Sequence, residues 1–260
     1  AFSDWAISEK EIRSDLNRMA GLTLLYTLLF RILGTKRLFV VVSYAFPEVI
    51  AAARKLGIKV IELQHGIINR YHLGYSYPSD QFEPTEVMGK LRYFPDEIYI
   101  WGNEWVLNCD FPIAPSAIKA VYGWPRRHDA ADAGTASVRS DQLVVISQGS
   151  IGELICSEMV HVIADLPKTA RVKYKLHPSE FGRFQGYKGA DVLLADPRVE
   201  LVEKGDLVTL LGQSRAVIGV YSTGLIEAKE MGCEVYILPL PGKEYFEGVP
   251  WAQPVEKLIA

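Results

Sequence analysis

The sequence predicts an α/β protein with two lobes, each built on a mostly parallel sheet. Short runs of β-branched residues alternate with helical segments along the chain, which is the rhythm of strand–helix–strand units. Residues 126–140 (RRHDAADAGTASVRS) interrupt this rhythm, because they are polar, rich in small side chains and without a period. We therefore expect an N-terminal lobe over residues 1–125, a linker over 126–140 and a C-terminal lobe over 141–260.

The N-terminal lobe is predicted to start with a charged helix that continues into an apolar one, which Gly34 ends. Pro47 and Gly57 suit the first turn and the end of the next helix, which joins two strands as a βαβ unit. The predicted elements are helices over residues 3–33, 47–56 and 104–109 and strands over 38–43, 59–63 and 97–101.

The same rhythm resumes in the C-terminal lobe. The predicted elements are strands over residues 143–147, 171–176, 199–202, 216–220 and 234–238, the last of them closing the series, and helices over 151–164, 206–214 and 225–231. Open parallel sheets bind their ligands outside the carboxyl ends of the strands, so we look for functional residues in the loops that follow strands.

Composition narrows the classes of function. The 260 residues are 49% hydrophobic and 23% charged, with a net charge of −3 and a pI near 6.0. Because this charge gives no overall basic field, we expect no nucleic-acid partner. The three cysteines show no C-x-x-C pairing, which favours a reducing compartment and hence the cytoplasm.

Residues 19–34 (MAGLTLLYTLLFRILG) are the most apolar stretch of the chain. The stretch is shorter than the ~20 residues of a membrane span and carries Arg31, so it predicts a buried or interface helix. Peripheral contact with the inner membrane face stays open. The chain also begins at Ala1 within a helical pattern, so we keep other domains of a longer protein as candidate partners.

Ser222, Thr223 and Gly224 lie between a predicted strand and a predicted helix. Hydroxyls and backbone N–H groups at a helix start suit a phosphate, although an ordinary N-cap explains them equally well. Glu227, one turn into the helix, could accept hydrogen bonds from ribose hydroxyls; an exposed helical Glu is the alternative.

Two further loops in this lobe carry candidate groups. His177-Pro178 ends a strand, and an imidazole there could bind phosphate or protonate a departing group; a histidine that caps a turn is the alternative. Gln148-Gly149-Ser150 follows the first strand of the lobe, and its glycine would let the backbone approach a nucleotide or merely form the turn.

In the N-terminal lobe, polar residues gather after the strand over 59–63, where packing alone does not explain them. We take His65 as the candidate general base for an acceptor hydroxyl; a structural or substrate-binding histidine is the alternative, and the Glu62 carboxylate is the alternative base. The candidate acceptor-binding residues are Asn69, Arg70, His72 and Tyr75. A loop packed on its own tyrosines is the structural alternative.

Several motifs are absent from the sequence. It contains no G-x-G-x-x-G, G-x-x-x-x-G-K-[ST], G-x-S-x-G or H-E-x-x-H, which disfavours common dehydrogenases, P-loop NTPases, serine hydrolases and zinc proteases. It also lacks the metal-chelating Asp-x-Asp pair, so we expect neither a metal nor another cofactor.

At these residues the sequence resembles the GT-B glycosyltransferases of bacterial surface polysaccharides, in particular sialyltransferases, polysialyltransferases and Kdo transferases. The segments that carry the resemblance are YKLHPSE (174–180), VYSTGLIEA (220–228), LQHGIINRYHLGYSYP (63–78) and PDEIYIWGNEW (95–105). The resemblance implies a GT-B-like fold of two Rossmann-like lobes. It also implies that His177, Ser222 and Thr223 engage the phosphate of a CMP-sugar.

The resemblance implies a metal-independent transferase that passes a sugar from a nucleotide donor to a glycan or glycolipid acceptor of capsule or lipopolysaccharide. The Asp/Glu-Asp/Glu-Gly motif that supplies the acceptor base in several sialyltransferases is not present, which leaves the base open. Teichoic-acid transferases that use CDP-glycerol share a His-Gly stretch, so a glycerophosphotransferase stays an alternative. A sugar-nucleotide epimerase and a non-catalytic lobe of a polysaccharide assembly protein are the others.

Overall fold

The computed structural model describes residues 8–77, 93–121 and 140–259. The chain divides into two compact units, an N-terminal unit over Ala1–Tyr122 and a C-terminal unit over Gly123–Ala260. The predicted linker lies outside the described residues, apart from Ser140, which begins a strand.

The N-terminal unit holds a four-stranded sheet, a two-stranded sheet and two helices within the described residues. The helices are α1 (Glu9–Ile32) and α2 (Pro47–Lys55). The strands are β1 (Arg37–Val40), β2 (Lys59–Leu63), β3 (Ile68–Asn69), β4 (Glu97–Ile100), β5 (Val106–Leu107) and β6 (Ile118–Ala120). The larger sheet has the order β1-β2-β4-β6 with every pair parallel, and β3 pairs with β5.

Helix α1 is a single helix across the charged and the apolar segment. Ser8 caps its start in a capping box with Glu11, and Gly34 follows its end with φ of +59°. One face packs on α2 and buries Phe30, whereas Leu28 and Ile32 on another face are more than half exposed. The apolar segment is thus only partly covered. No helix in the described part of the chain combines the length and apolarity of a membrane span.

The helix predicted over residues 104–109 is wrong. A 3₁₀ turn over Asn103–Trp105 leads instead into β5, and Asn108 follows in the left-handed region with φ of 51°. Trp105 is fully buried, and Val106 pairs with Ile68 of β3. Tertiary packing and strand pairing therefore override the local helical pattern.

The C-terminal unit contains a six-stranded sheet and five helices within the described residues. The strands are β7 (Ser140–Ile146), β8 (Arg171–Lys175), β9 (Val199–Val202), β10 (Ser214–Gly219), β11 (Glu234–Ile237) and β12 (Ala252–Pro254). The helices are α3 (Gly152–Asp165), α4 (Ala190–Ala195), α5 (Leu207–Gly212), α6 (Thr223–Glu230) and α7 (Glu256–Ile259).

This sheet has the order β12-β11-β10-β7-β8-β9, and all its pairs are parallel. Counted from the opposite edge in order of appearance, the strands run 3-2-1-4-5-6, the order of a doubly wound Rossmann sheet. The chain therefore winds outwards in opposite directions from the neighbouring strands β7 and β10, which form the topological switch point. The prediction that residues 234–238 form the last strand is wrong: the three-residue edge strand β12 is too short to show a period.

Both faces of the sheet are covered. Successive strand residues point to opposite faces, and Val144 and Val145 of β7 are both fully buried. All three cysteines of the chain are free thiols. Burial raises the pKa of the Cys156 thiol, which lies in this core, to about 12.

Arg198, which directly precedes β9, is hydrogen-bonded to the end of α3. Its guanidinium donates to the Ile163 and Leu166 carbonyls at 2.9 Å and to the Asp196 carboxylate at 2.7 Å. The cation thus satisfies carbonyl groups at the negative end of α3 while its own charge is paired.

Replacement of Asp196 by Asn should lower the free energy of unfolding by about 1–2 kcal/mol at pH 7, because this carboxylate pairs with a largely buried guanidinium. The hydrogen bond from Arg198 holds the pKa of the Asp196 carboxyl below its ordinary value. An unfolded aspartate has a pKa of about 3.9, so the stabilisation is complete above that pH. It is lost as the pH falls through the lower pKa of the folded state.

Urea unfolding at neutral pH and at successively lower pH measures this difference. The exposed pair of Asp141 with Arg215, at 3.1 Å, provides the control, and Asp141→Asn should cost less than about 0.5 kcal/mol. Equal losses in the two variants would contradict the assignment. So would an Asp196→Asn loss that persists unchanged into acid.

Candidate functional site

The C-terminal unit brings two of the predicted loops together at the switch point. The loop after β7 carries Gln148 and Ser150, and the loop after β10 carries Tyr221. The Tyr221 N–H donates to Gln148 Oε1 at 3.2 Å, and its phenol oxygen lies 2.7 Å from Ser150 Oγ. Two motifs that are 71 to 73 residues apart in sequence are thus in contact at the carboxyl edge of the sheet.

The start of α6 follows Tyr221 directly and lies beside this contact. Ser222 is the N-cap, and its Oγ accepts a hydrogen bond from the Gly224 N–H at 3.2 Å. A Cβ atom on Gly224 would lie 2.8 Å from Ile146 Cδ1, so this glycine allows α6 to approach β7 closely. Thr223 is exposed, whereas Glu227, the predicted ribose ligand, is half-buried on α6.

His177 lies at the carboxyl end of β8, beside the loop that follows β7. It is the N-cap of the 3₁₀ turn Pro178–Glu180 and is exposed. Its Nδ1 accepts a hydrogen bond from the Ser179 N–H at 3.2 Å and lies 2.8 Å from Ser179 Oγ. The alternative of a turn-capping histidine is therefore realised in the structure, and the ring still faces solvent.

Glu180 is a buried carboxylate that our sequence analysis missed. It is fully buried, and it accepts hydrogen bonds from the His177 N–H and from Ser147 Oγ, both at 2.8 Å. A Cβ atom on Gly152, the first residue of α3, would lie 1.9 Å from Glu180 Oε1. The spacing of an N-cap followed three residues later by Glu was the available signal.

The Tyr221 ring also packs against a third loop. A Cβ atom on Gly242, which has φ of +101°, would lie 2.1 Å from Tyr221 Cδ1, so the ring packs directly on this glycine. The Tyr245 ring contacts it edge-on, with the centroids 5.5 Å apart. The loops after β7, β10 and β11 are thus joined through one aromatic side chain.

The N-terminal unit also has a polar cluster at the carboxyl edge of its sheet. Glu62 of β2 is fully buried, and both its oxygens accept from the Ser43 N–H at 3.2 Å. The hydroxyl of Tyr75, which is also fully buried, donates to Glu62. Burial and this hydrogen bond raise the pKa of Tyr75.

Three of the predicted site residues are buried. Glu62 and Tyr75 have no exposed surface, so neither is accessible to an acceptor in this structure. Asn69 is buried too, and its Oδ1 accepts from the Tyr71 N–H at 2.9 Å, which closes an Asx turn. These three side chains shape the loop in this structure.

His65 and Arg70 are exposed, in contrast, and His72 is half-buried. The His72 ring lies 4.6 Å from the Tyr75 ring and 5.2 Å from the Tyr44 ring, measured between centroids. Burial lowers the pKa of His72, and the charge of nearby His65 lowers it further. Tyr44, which the sequence analysis missed, is therefore part of the surface that His65 and His72 share.

Within residues 8–77, 93–121 and 140–259, no three His, Cys, Asp or Glu side chains are grouped in a way that could hold a metal ion. The expectation of metal-independent chemistry stays a prediction.

No protein-family model matches the chain, and no curated protein matches it in sequence. Solved structures do match its fold. MurG from Acinetobacter baumannii has a TM-score of 0.59 at 11% identity; the match covers 92% of this chain and 65% of MurG, so the chain spans less than two thirds of that protein. A UDP-GlcNAc 2-epimerase from Neisseria meningitidis, solved with UDP-GlcNAc bound, has a TM-score of 0.55 at 13% identity over 99% of this chain and 73% of that one. The calicheamicin glycosyltransferase CalG4 has a TM-score of 0.50 at 15% identity over 99% and 75% of the two chains.

These matches define the class of fold. The chain has the GT-B fold, with two Rossmann-like units and mostly parallel sheets, as the sequence predicted. The calicheamicin glycosyltransferase and the UDP-GlcNAc 2-epimerase both have this fold, so the fold by itself assigns no activity.

Replacement of Gly152 by Ala should destabilise the C-terminal unit by at least about 2 kcal/mol, because the new methyl group would displace the buried Glu180 carboxylate from its donors. Gly186→Ala is the matched control, since a Cβ there meets no atom within 4 Å and should change stability by less than about 0.5 kcal/mol. Denaturant unfolding of both variants measures the effect. Equal stabilities would show that the turn does not depend on this close fit.

Proposed function

We propose that the chain is a glycosyltransferase that takes a sugar from a nucleotide donor and passes it to a surface-polysaccharide acceptor. A CMP-sugar such as a sialic acid or Kdo donor is favoured, with a glycan or glycolipid of capsule or lipopolysaccharide as the acceptor. The observation that carries the proposal is the contact between the loops after β7 and β10 at the switch point of the sheet. Ligands of doubly wound sheets bind at such points, outside the carboxyl ends of the strands.

The starts of α3 and α6 both lie beside the switch point, but they differ in how well they could bind an anion. An α-helix start attracts anions through its unpaired N–H groups and its dipole. The start of α3 already has the Glu180 carboxylate beside Gly152, which would repel a second anion. The start of α6, with Ser222 and the exposed Thr223, is therefore the better position for a phosphate.

His177 supplies the second contact in this proposal. The strands β8 and β10 flank β7 on opposite sides, so their carboxyl ends lie two strand spacings, about 10 Å, apart. A Cβ atom on Gly149 would lie 3.1 Å from His177 Nδ1, which puts the imidazole directly beside the loop after β7. A nucleotide phosphate bound over Gly149 would thus have the α6 start on one side and the imidazole on the other.

These groups suit the departure of a nucleotide. When the bond between the sugar and the phosphate breaks, negative charge grows on the phosphate oxygens. Fixed N–H and hydroxyl donors that face those oxygens stabilise the charge without reorganisation. The acceptor hydroxyl must lose its proton, and the exposed His65 is our candidate base, since Glu62 is fully buried.

Replacement of His177 by Ala should weaken the binding of CMP by about 10- to 100-fold, the range expected for a lost hydrogen bond to a charged group. His161→Ala is the control, because His161 is exposed on α3. Isothermal titration of both variants and the wild type with CMP, CDP and UDP measures the change. Equal affinities in the two variants would remove His177 from the site, and wild-type protein that binds none of the three nucleotides would favour a non-catalytic lobe.

Product analysis should separate transfer from the competing reactions. We expect a CMP-sugar donor to yield free CMP only slowly alone and rapidly when a glycan acceptor is present, because the acceptor is the attacking group. An isomerised sugar from a UDP-sugar donor alone would identify an epimerase. Transfer of phosphate together with glycerol from CDP-glycerol would identify a glycerophosphotransferase.

A further inference from the structure

We infer that Glu180 is a positioning residue that holds His177 in one orientation and one tautomer, with the hydrogen on Nε2. The part of this inference that has His177 contact a phosphate rests on the proposed function. The orientation itself is a property of the unliganded protein and can be measured separately.

The carboxylate of Glu180 joins two neighbouring loops. One oxygen accepts from the backbone N–H of His177, and the other accepts from Ser147 Oγ at the end of β7. A buried carboxylate is costly unless its oxygens are hydrogen-bonded, so these two donors and the carboxylate stabilise one another. The residue therefore fixes the backbone from which the imidazole projects.

The turn that contains Glu180 packs directly against two glycines. A Cβ atom on Gly149 would lie 1.9 Å from Ser179 Oγ, and one on Gly152 would lie 1.9 Å from Glu180 Oε1. Any larger side chain at either position would push the 177–180 turn away. The turn after β8 is thus inserted into the turn after β7, which restricts where His177 can lie.

The hydrogen bond from Ser179 then determines the tautomer. The Ser179 N–H donates to Nδ1, so that nitrogen carries its lone pair towards the turn. In a neutral imidazole the other nitrogen, Nε2, then carries the hydrogen. His177 is exposed, so it offers an N–H donor that suits a phosphate oxygen.

With the hydrogen on Nε2, the ring can donate a hydrogen bond to a departing phosphate. Removal of Glu180 would free the turn, and the ring would sample both tautomers.

Long-range ¹H–¹⁵N spectra of the five histidines test the inference in protein without ligand, with His177→Gln to assign the resonance. We expect the wild type to show the Nε2–H form and Glu180→Ala to show an average of both tautomers, with CMP affinity at least 10-fold lower. Glu180→Gln should restore both properties, because an amide can accept from His177 and donate to Ser147.

The control is Glu153→Ala, which removes an exposed carboxylate from the first turn of α3 and should leave the spectrum unchanged. If Glu180→Ala does not fold, Glu180→Asp replaces it, since the shorter carboxylate cannot reach both donors. A fixed Nε2–H tautomer in folded Glu180→Ala or Glu180→Asp would overturn the inference. If tautomer averaging appears as expected but the wild type binds no nucleotide, the positioning role stands and the proposed function fails.

Discussion

A buried carboxylate at the carboxyl edge of the sheet is the constraint on which each candidate site depends. In the C-terminal unit Glu180 ties the end of β7 to the backbone of His177. In the N-terminal unit Glu62 ties β2 to the backbone after β1 through the Ser43 N–H, and Tyr75 donates to the same carboxylate. Each glutamate is fully buried and accepts from two different residues. Loops that would otherwise be free to move are held in place because a buried carboxylate must keep its donors.

The close fit between loops follows from this constraint. The turn that contains Glu180 enters the turn after β7 only because Gly149 and Gly152 carry no Cβ atom. Tyr221 then extends the contact to the next loops, through Ser150 on one side and Gly242 on the other. The loops after β8, β7, β10 and β11, which follow neighbouring strands of the sheet, are therefore joined by these contacts. Such support by surrounding residues is what keeps a binding site ready before its ligand arrives.

The sequence was most informative where local chemistry determines structure. The bounds of β2 and β9 agree to the residue with the predicted strands, and Pro47 and Gly57 mark the helix between β1 and β2 as expected. The motifs on either side of the switch point could be found because each follows a β-branched strand. The capping-box spacing could have indicated Glu180, but its burial could not be predicted, since it depends on glycines in another loop. The burial of Glu62 likewise depends on Tyr75, which lies thirteen residues further along the chain.

The two units differ in how firmly they hold the groups that we assign to chemistry. In the C-terminal unit, Ser222 is an N-cap and His177 is hydrogen-bonded within its own turn, so both have set orientations. In the N-terminal unit, His65 and Arg70 are exposed at the edge of a loop whose inner side is fixed by Glu62. Nucleotide recognition is therefore the more rigidly built part of the proposed activity. It can be measured without an acceptor, and because glycosyltransferases and epimerases share this fold, the fold alone does not choose between the proposed transfer and its alternatives.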